Sequence, residues 1–410
     1  MRRKKIVIVG GGFGGIRAAL DLAKLNPPHT RIILISDRRN FEYHAALYRV
    51  VTGHSPFEAC IPLADIFRHT KVELVEDRIT AVDIHDRKLT GNSDFRYEYD
   101  FLVLALGSET AYFNIPGLKE LSFGFKSMSE ALALKRHVHE VLTTCESGTT
   151  EEKVCAAHFV VVGGGASGTE LAGELGHYAK KIAVTHKLDT SMITVDLIEA
   201  AARLVPSMPE SFSRRVEARL RELGVNIFLN RSVIEEEIET IHLKDMQLKA
   251  KTFIWTAGIK AHNLLGKIDG LVLDKKGRVV VDAYLRAQGH SNVFVIGDGA
   301  ATPYSGMAQT ALWDARFVAK RIFEACRGNT NSKINYIPRK PWYVIPIGHR
   351  WAAALIGQMH FYGRIGWWLR RLADFFVFMS FLSLASTLRI FSDIGKSSET
   401  CPFCVPNQTH

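Results

Sequence analysis

Residues 6–22 read IVIVGGGFGGIRAALDL, and residues 159–175 read FVVVGGGASGTELAGEL. The two stretches repeat one design: β-branched residues that make a buried strand, a glycine-rich turn, and an apolar pattern of helical period. The first turn is Gly10-x-Gly12-x-x-Gly15 and the second is Gly163-x-Gly165-x-x-Gly168. In each, the first glycine permits a tight turn and the second lets the backbone approach a pyrophosphate. The third lets the helix pack close to the strand, so that the helix N-terminus faces the anion. Each unit continues into a second strand ending on an acid, RIILISD at Asp37 and ITVDLIE at Glu199. A carboxylate at that position accepts ribose hydroxyls. At Glu199 it would also repel a 2′-phosphate, so NADH is expected there rather than NADPH. Two complete fingerprints in one chain imply chemistry between two dinucleotides.

The chain has 410 residues, 47% of them hydrophobic, which is enough for two or three packed domains. A net charge of +10 favours anionic partners. The basic residues are scattered except near the C-terminus and no nucleic-acid motif accompanies them, so nucleic acid is not expected, while acidic proteins and an anionic membrane face stay open. Six cysteines make no disulfide framework. Arg2, Arg3, Lys4 and Lys5 run straight into the first strand, so no signal peptide is expected. The cytosolic side is the expected location.

These features resemble the two-dinucleotide-binding-domain flavoproteins over residues 5–325. YDFLVLALGSETAYFNIPG (99–117) is similar to the strand and crossover by which that family leaves its flavin domain, and FIWTAGIKA (253–261) is similar to its return. NVFVIGDGA (292–300) looks like the strand whose terminal aspartate, here Asp298, hydrogen-bonds the ribityl chain of FAD. Within that group the chain resembles the type II NADH:quinone oxidoreductases. DRRNFEYHAALYRVVTG (37–53) is similar to the family's run after the second strand. GGGASGTELAGEL carries its glutamate pair as Glu170 and Glu174. MAQTALWDA (307–315) is similar to the AQxAxQ segment that begins a helix beneath the flavin and lines the quinone site.

The resemblance implies an α/β fold of two Rossmann-like domains. Residues 1–118 and 278–330 would form a discontinuous FAD domain, 119–277 an inserted NADH domain, and 331–410 a C-terminal membrane or dimer segment with a flexible tail. FAD would contact Gly10, Gly12, Gly15, Asp37, Arg38, Gly107, Gly297, Asp298 and Ala308. NADH would contact Gly163, Gly165, Gly168, Glu199 and Gly258. Glu170 would position the nicotinamide or handle protons, and Gln309 would hydrogen-bond a quinone carbonyl. The implied reaction passes hydride from NADH to FAD and then two electrons to a membrane quinone, without proton pumping.

The departures from the pattern gather near the acceptor. Trp313 stands where the family has its second glutamine, Ala45 and Ala46 precede Leu47-Tyr48 in place of proline and leucine, and KPWYVIPIGHRW (340–351) does not clearly match the family's lysine. They keep open a soluble acceptor, or a redox-sensing flavoprotein with slow turnover. Disulfide-reductase chemistry is not expected, because Cys60 stands alone and Cys145 and Cys155 lie in a linker. No metal site is expected either: Cys401-Pro-Phe-Cys404 with His410 falls short of the four ligands of a structural zinc site.

WWLRRLADFFVFMSFLSLASTL (367–388) has helical period, with Arg370, Arg371, Asp374, Ser383 and Thr387 opposite Phe375, Phe376, Met379 and Leu382. Its charge-free run is shorter than the ~20 residues a membrane span requires. A single helix lying in the membrane interface is expected, with tryptophans and arginines at headgroup level. A homodimer is the further expectation, from the family habit and this apolar helix.

Overall fold

The computed structural model describes residues 2–144, 149–329 and 334–393. Cys145, Cys401, Cys404 and His410 lie outside them. Two five-stranded parallel sheets carry the fold. The first is built from β1 (Lys4–Val9), β2 (Thr30–Ser36), β3 (Glu73–Glu76) and β4 (Phe101–Leu104). The second is built from β5 (Phe123–Gly124), β6 (His158–Val162), β7 (Thr194–Ile198), β8 (Val225–Phe228) and β9 (Thr252–Trp255). A last strand, β10 (Val293–Val295), returns to the first sheet and pairs with β4. The spatial orders are β10-β4-β1-β2-β3 and β5-β9-β6-β7-β8.

The inner strands of both sheets are buried on both faces, which explains why β1, β2, β4, β6 and β9 are mostly apolar runs rather than alternating ones. Ile6 and Ile8 pack under α1 (Phe13–Leu25) with Ile16 and Leu22, and under α2 (Ala308–Cys326) with Val318 and Ile322. Val7 and Val9 face the other way, against Ile33, Ile35 and Leu104. In the second sheet Phe159 and Val161 meet Leu171 and Leu175 of α3 (Ala166–Thr185). In each sheet the strand before the glycine loop lies between its sequence neighbour and a strand reached by crossover. That is the switch point at which open α/β sheets bind ligands. The outgoing and returning crossovers pair as a short antiparallel ribbon, with Ser108 opposite Ala261 and Thr110 opposite Ile259.

The C-terminal part forms a three-stranded antiparallel sheet (Tyr343–Pro346, Ala352–Ile356, Met359–Phe361) and two helices, α4 (Arg364–Phe381) and α5 (Leu384–Asp393). The single helix expected over 367–388 is therefore interrupted. Leu382 is extended at φ −122°, and the Ser383 hydroxyl accepts a hydrogen bond from the Ser386 N–H at 3.3 Å. A serine oxygen competing for a backbone donor is the physical reason the helix stops and restarts there.

The polar side of α4 faces inward: Arg370, an arginine expected at headgroup level, is buried, and so is Asp374, at 0% exposure. The outward stripe is Ile365, Trp368, Leu372 and Phe376. Phe378 and Phe381 lock the helix onto the first unit, at 5.1 Å from Tyr43 and 5.2 Å from Phe41 between ring centres. Arg17 of α1 donates to the Ser380 carbonyl at 3.0 Å. Among the described residues no helix is long and apolar enough to cross a membrane.

Candidate active site

The two glycine loops share one close approach between helix and turn. A Cβ on Gly15 would lie 1.9 Å from the Gly10 carbonyl oxygen, and one on Gly168 would lie 1.9 Å from that of Gly163. Gly10 and Gly163 hold φ of +119° and +115°, which a side chain would strain. A Cβ on Gly12 or Gly165 would meet nothing within 4 Å, so each loop is open on the side its helix faces.

Those helices begin without protection. α1 starts at Gly12, α3 at Gly165 and α2 at Met307, and none has a side-chain cap or an acidic residue in its first turn. Unpaired backbone N–H groups and the positive end of the helix dipole make such ends anion sites. Gly12, Gly165 and Met307 all stand on the wall of one cavity of ≈ 1890 Å³. A single small-molecule pocket spans roughly 300–1,000 Å³, so this volume suits two dinucleotides.

Gly10, Asp37, Arg38, Gly107, Gly258, Gly297, Asp298, Ala308 and Gln309 line the same cavity, as does Glu170. Gly15, Gly163 and Gly168 lie behind the wall, where close packing rather than contact is their work. Glu199 is also set back. Its carboxylate accepts the Gly164 and Ala201 N–H groups, both at 2.7 Å, which fixes it at the root of the second loop.

Asp298 shows what a strand-end carboxylate can do here. It accepts the Gly306 N–H at 3.1 Å and the Ser108 hydroxyl, and Ser108 in turn accepts Lys126 Nζ at 2.8 Å. Burial holds the Lys126 ammonium below its ordinary range. The Gly297 N–H donates to Asp314 at 2.9 Å, and burial pushes that enclosed carboxyl up to about 6. Lys126 lies outside every motif, and Ser108 and Asp314 lie within the 99–117 and 307–315 stretches with no signal of their own; the fold sets these contacts. An open loop, a strand-end acid and a donor-rich crossover fit the phosphates, ribityl and ring of FAD.

Glu170 sits at the junction of three segments. Burial pushes its carboxyl up to about 7, against the pull of nearby Arg370 and Arg49. Arg370 reaches it at 3.4 Å and holds Asp374 at 2.8 Å. Asp374 also accepts Tyr43 at 2.6 Å and Arg49 at 3.0 Å, and Arg49 reaches Glu58 at 3.3 Å.

Gln309 does not point an unengaged amide at the cavity. It donates to the Trp342 carbonyl at 3.0 Å and accepts the Trp342 N–H at 3.1 Å, so it pins the cavity rim. Trp313, on the same helix, is half-buried and is not part of the cavity wall. Cys155 and Cys326 are free thiols, and burial pushes both up.

A model of the pyridine nucleotide-disulphide oxidoreductase family matches residues 4–315, and the chain belongs to that class. It is 32% identical over 395 residues to the type II NADH:quinone oxidoreductase Ndh of Mycobacterium tuberculosis, covering 90% of this chain and 83% of that protein. The chain is accordingly a member of the type II NADH:quinone oxidoreductase family. The structure of NDH2 from Plasmodium falciparum in complex with NADH superimposes with a TM-score of 0.86, at 20% identity over 96% of this chain and 97% of that one. The sulfide:quinone oxidoreductase of Aquifex aeolicus shares the fold at a TM-score of 0.78, with 20% identity over 97% and 98%.

The loop geometry yields a paired prediction. Overpacking against a backbone oxygen costs about 1–3 kcal/mol, which is roughly 5- to 150-fold where it falls on a binding equilibrium. Gly168→Ala is expected to keep flavin absorbance while NADH binding weakens at least about fivefold. Gly15→Ala is expected to lose flavin. Titration of NADH into each purified variant checks this, and the reverse pattern would exchange the two assignments.

Proposed function

We propose that the chain carries out its family's reaction within this one cavity, with Glu170 moving a proton to the acceptor. As a family member it is an FAD-dependent NADH:quinone oxidoreductase. The observation that carries the reading is the convergence of both glycine loops and the Met307 helix end on one cavity whose wall includes Glu170. FAD, when bound, supplies the two-electron relay between donor and acceptor. We assign residues 1–118 and 278–330 to holding it, through Gly10 to Gly15, Asp37, Arg38, Gly107, Gly297, Asp298 and Ala308. Residues 119–277 take NADH, through Gly163 to Gly168, Glu199 and Gly258.

The proton balance gives Glu170 its role. A quinone needs two electrons and two protons to become a quinol, whereas a hydride brings two electrons and one proton. The remaining proton has to come from the protein or from water. A buried carboxyl that holds its proton to about pH 7 is matched to that task. Gln309, whose amide is taken up by Trp342, shapes the rim where the acceptor enters. Trp313, the departure that kept a soluble acceptor or a sensor in play, does not stand on the wall.

The outward stripe of α4 continues onto α5 through exposed Leu384 and Leu388, flanked by exposed Arg364 and Arg389. An apolar face rimmed by arginines suits the headgroup boundary of an anionic membrane. We assign the chain to peripheral attachment there, on the cytosolic side, where it would meet a lipid-dissolved quinone. A second copy of the chain is the other occupant such a face could take.

Two outcomes follow. Glu170→Gln is expected to lower turnover with a quinone by about 100-fold, in the range of lost proton transfer, while NADH still bleaches the flavin at close to the original rate; steady-state turnover with a single-mixing absorbance trace checks both. The double variant Trp368→Ser/Phe376→Ser is expected to stop floating with anionic vesicles and to keep turnover with a short-chain, water-soluble quinone. Unchanged flotation with a shift from dimer to monomer in sedimentation would assign the face to a second copy instead.

A further inference from the structure

Three carboxyls and two guanidiniums form a buried chain, of which Asp374, Arg370 and Glu170 line the cavity. In order of contact it runs Glu58, Arg49, Asp374, Arg370, Glu170, with links of 3.3, 3.0, 2.8 and 3.4 Å. A third guanidinium, Arg371, lies further off, 4.0 Å from Asp374. With two cations in close contact for three carboxyls, one carboxyl is short of a partner. Asp374 is not that one, since Tyr43, Arg49 and Arg370 all donate to it. Glu58 meets Arg49 and has the His54 ring at 3.8 Å. Glu170 stands at the chain's end with the longest link.

The Arg370 guanidinium is spread over four acceptors. Its Nε goes to Asp374, one terminal nitrogen goes to the Val344 carbonyl at 3.2 Å and to Glu170, and the other goes to the Ala45 carbonyl. This fork is rigid, so its charge cannot follow Glu170 independently of Asp374. The other ionisable groups facing Glu170 are Tyr48 and Arg49, and Glu174 lies one turn along its own helix.

We propose that Arg370 is a positioning residue acting through Glu170: its guanidinium, shared between Asp374 and Glu170, sets how firmly Glu170 holds the proton it passes to the acceptor. The inference rests on the reading of Glu170 as the proton-carrying group. Its consequence is that two substitutions on one helix turn move the same proton in opposite directions. Asp374→Asn removes an anion near Glu170 and frees more of the Arg370 charge, so Glu170 ionises more readily. Arg370→Gln removes the cation, so Glu170 holds its proton to higher pH. Loss of packing alone has no reason to give opposite signs.

The test uses full-length, FAD-loaded protein and reads the carboxylic C=O stretch of Glu170 by infrared spectroscopy during a pH titration, assigned by its disappearance in Glu170→Gln. The expected midpoint falls by about one pH unit or more in Asp374→Asn and rises by a similar amount in Arg370→Gln. Where Arg370→Gln fails to load FAD, Arg370→Lys, which keeps a cation without the fork, is expected to shift the midpoint upward less strongly. Midpoints that stay within the titration error in Asp374→Asn and in the Arg370 variant, or that move together, overturn the inference. A band near neutrality that survives in Glu170→Gln overturns instead the assignment of Glu170 as the proton carrier.

Discussion

A carboxylate with no exposure to water survives only when cations and donors surround it, and Asp374 is such a group. Its partners come from two distant stretches of chain: Tyr43 and Arg49 from the first unit, and Arg370 from its own helix. Meeting them dictates which way α4 faces. Turning the helix to bury Ile365, Trp368, Leu372 and Phe376 would gain about 1.5–3 kcal/mol for each side chain. It would also take Asp374 away from Arg49 and Arg370 away from Glu170, and a broken buried pair costs about 3–5 kcal/mol. In water these opposing terms are comparable. Covering the outward stripe with an apolar phase supplies much of the burial without breaking a pair, which makes the observed orientation the favoured one at a membrane surface.

The same constraint ties the outward apolar stripe to the site. The helix that shows its apolar side outward carries on its inner side the arginine that touches Glu170, and its last turn packs on Phe13 and Phe41 beside the first glycine loop. The first loop's helix is bound back to it through Arg17 and the Ser380 carbonyl. The C-terminal segment is therefore part of the site's construction rather than a detachable anchor. Point changes on its outer stripe separate attachment from chemistry, which a truncation would not.

The two nucleotide units were legible because their signals are local. A glycine every two or three residues between a β-branched strand and a helix leaves little else for the chain to build, and Asp37, Asp298 and Glu199 follow at strand ends. The crossovers at 99–117 and 253–261 were read through the family resemblance instead, and they pair with each other as a ribbon. What could not be read are contacts set by distant partners. Arg49 and Asp374 are 325 residues apart, and Ser108 and Asp298 are 190 apart. Gln309 looked like a ligand because its type suits a carbonyl, yet a peptide group 33 residues further on occupies its amide. The polar side of α4 looked like its water side because amphipathic patterning assumes water outside and apolar core inside. Buried ion pairs reverse that assumption.

The central claim is that electrons leave this cavity to a quinone. The most direct measurement is anaerobic: full-length protein is reduced with one equivalent of NADH and mixed with a short-chain quinone in a stopped-flow spectrometer, with flavin absorbance followed over quinone concentration. Reoxidation is expected to saturate with quinone at a rate no slower than steady-state turnover. Reoxidation no faster than with buffer, at every quinone concentration, would contradict it.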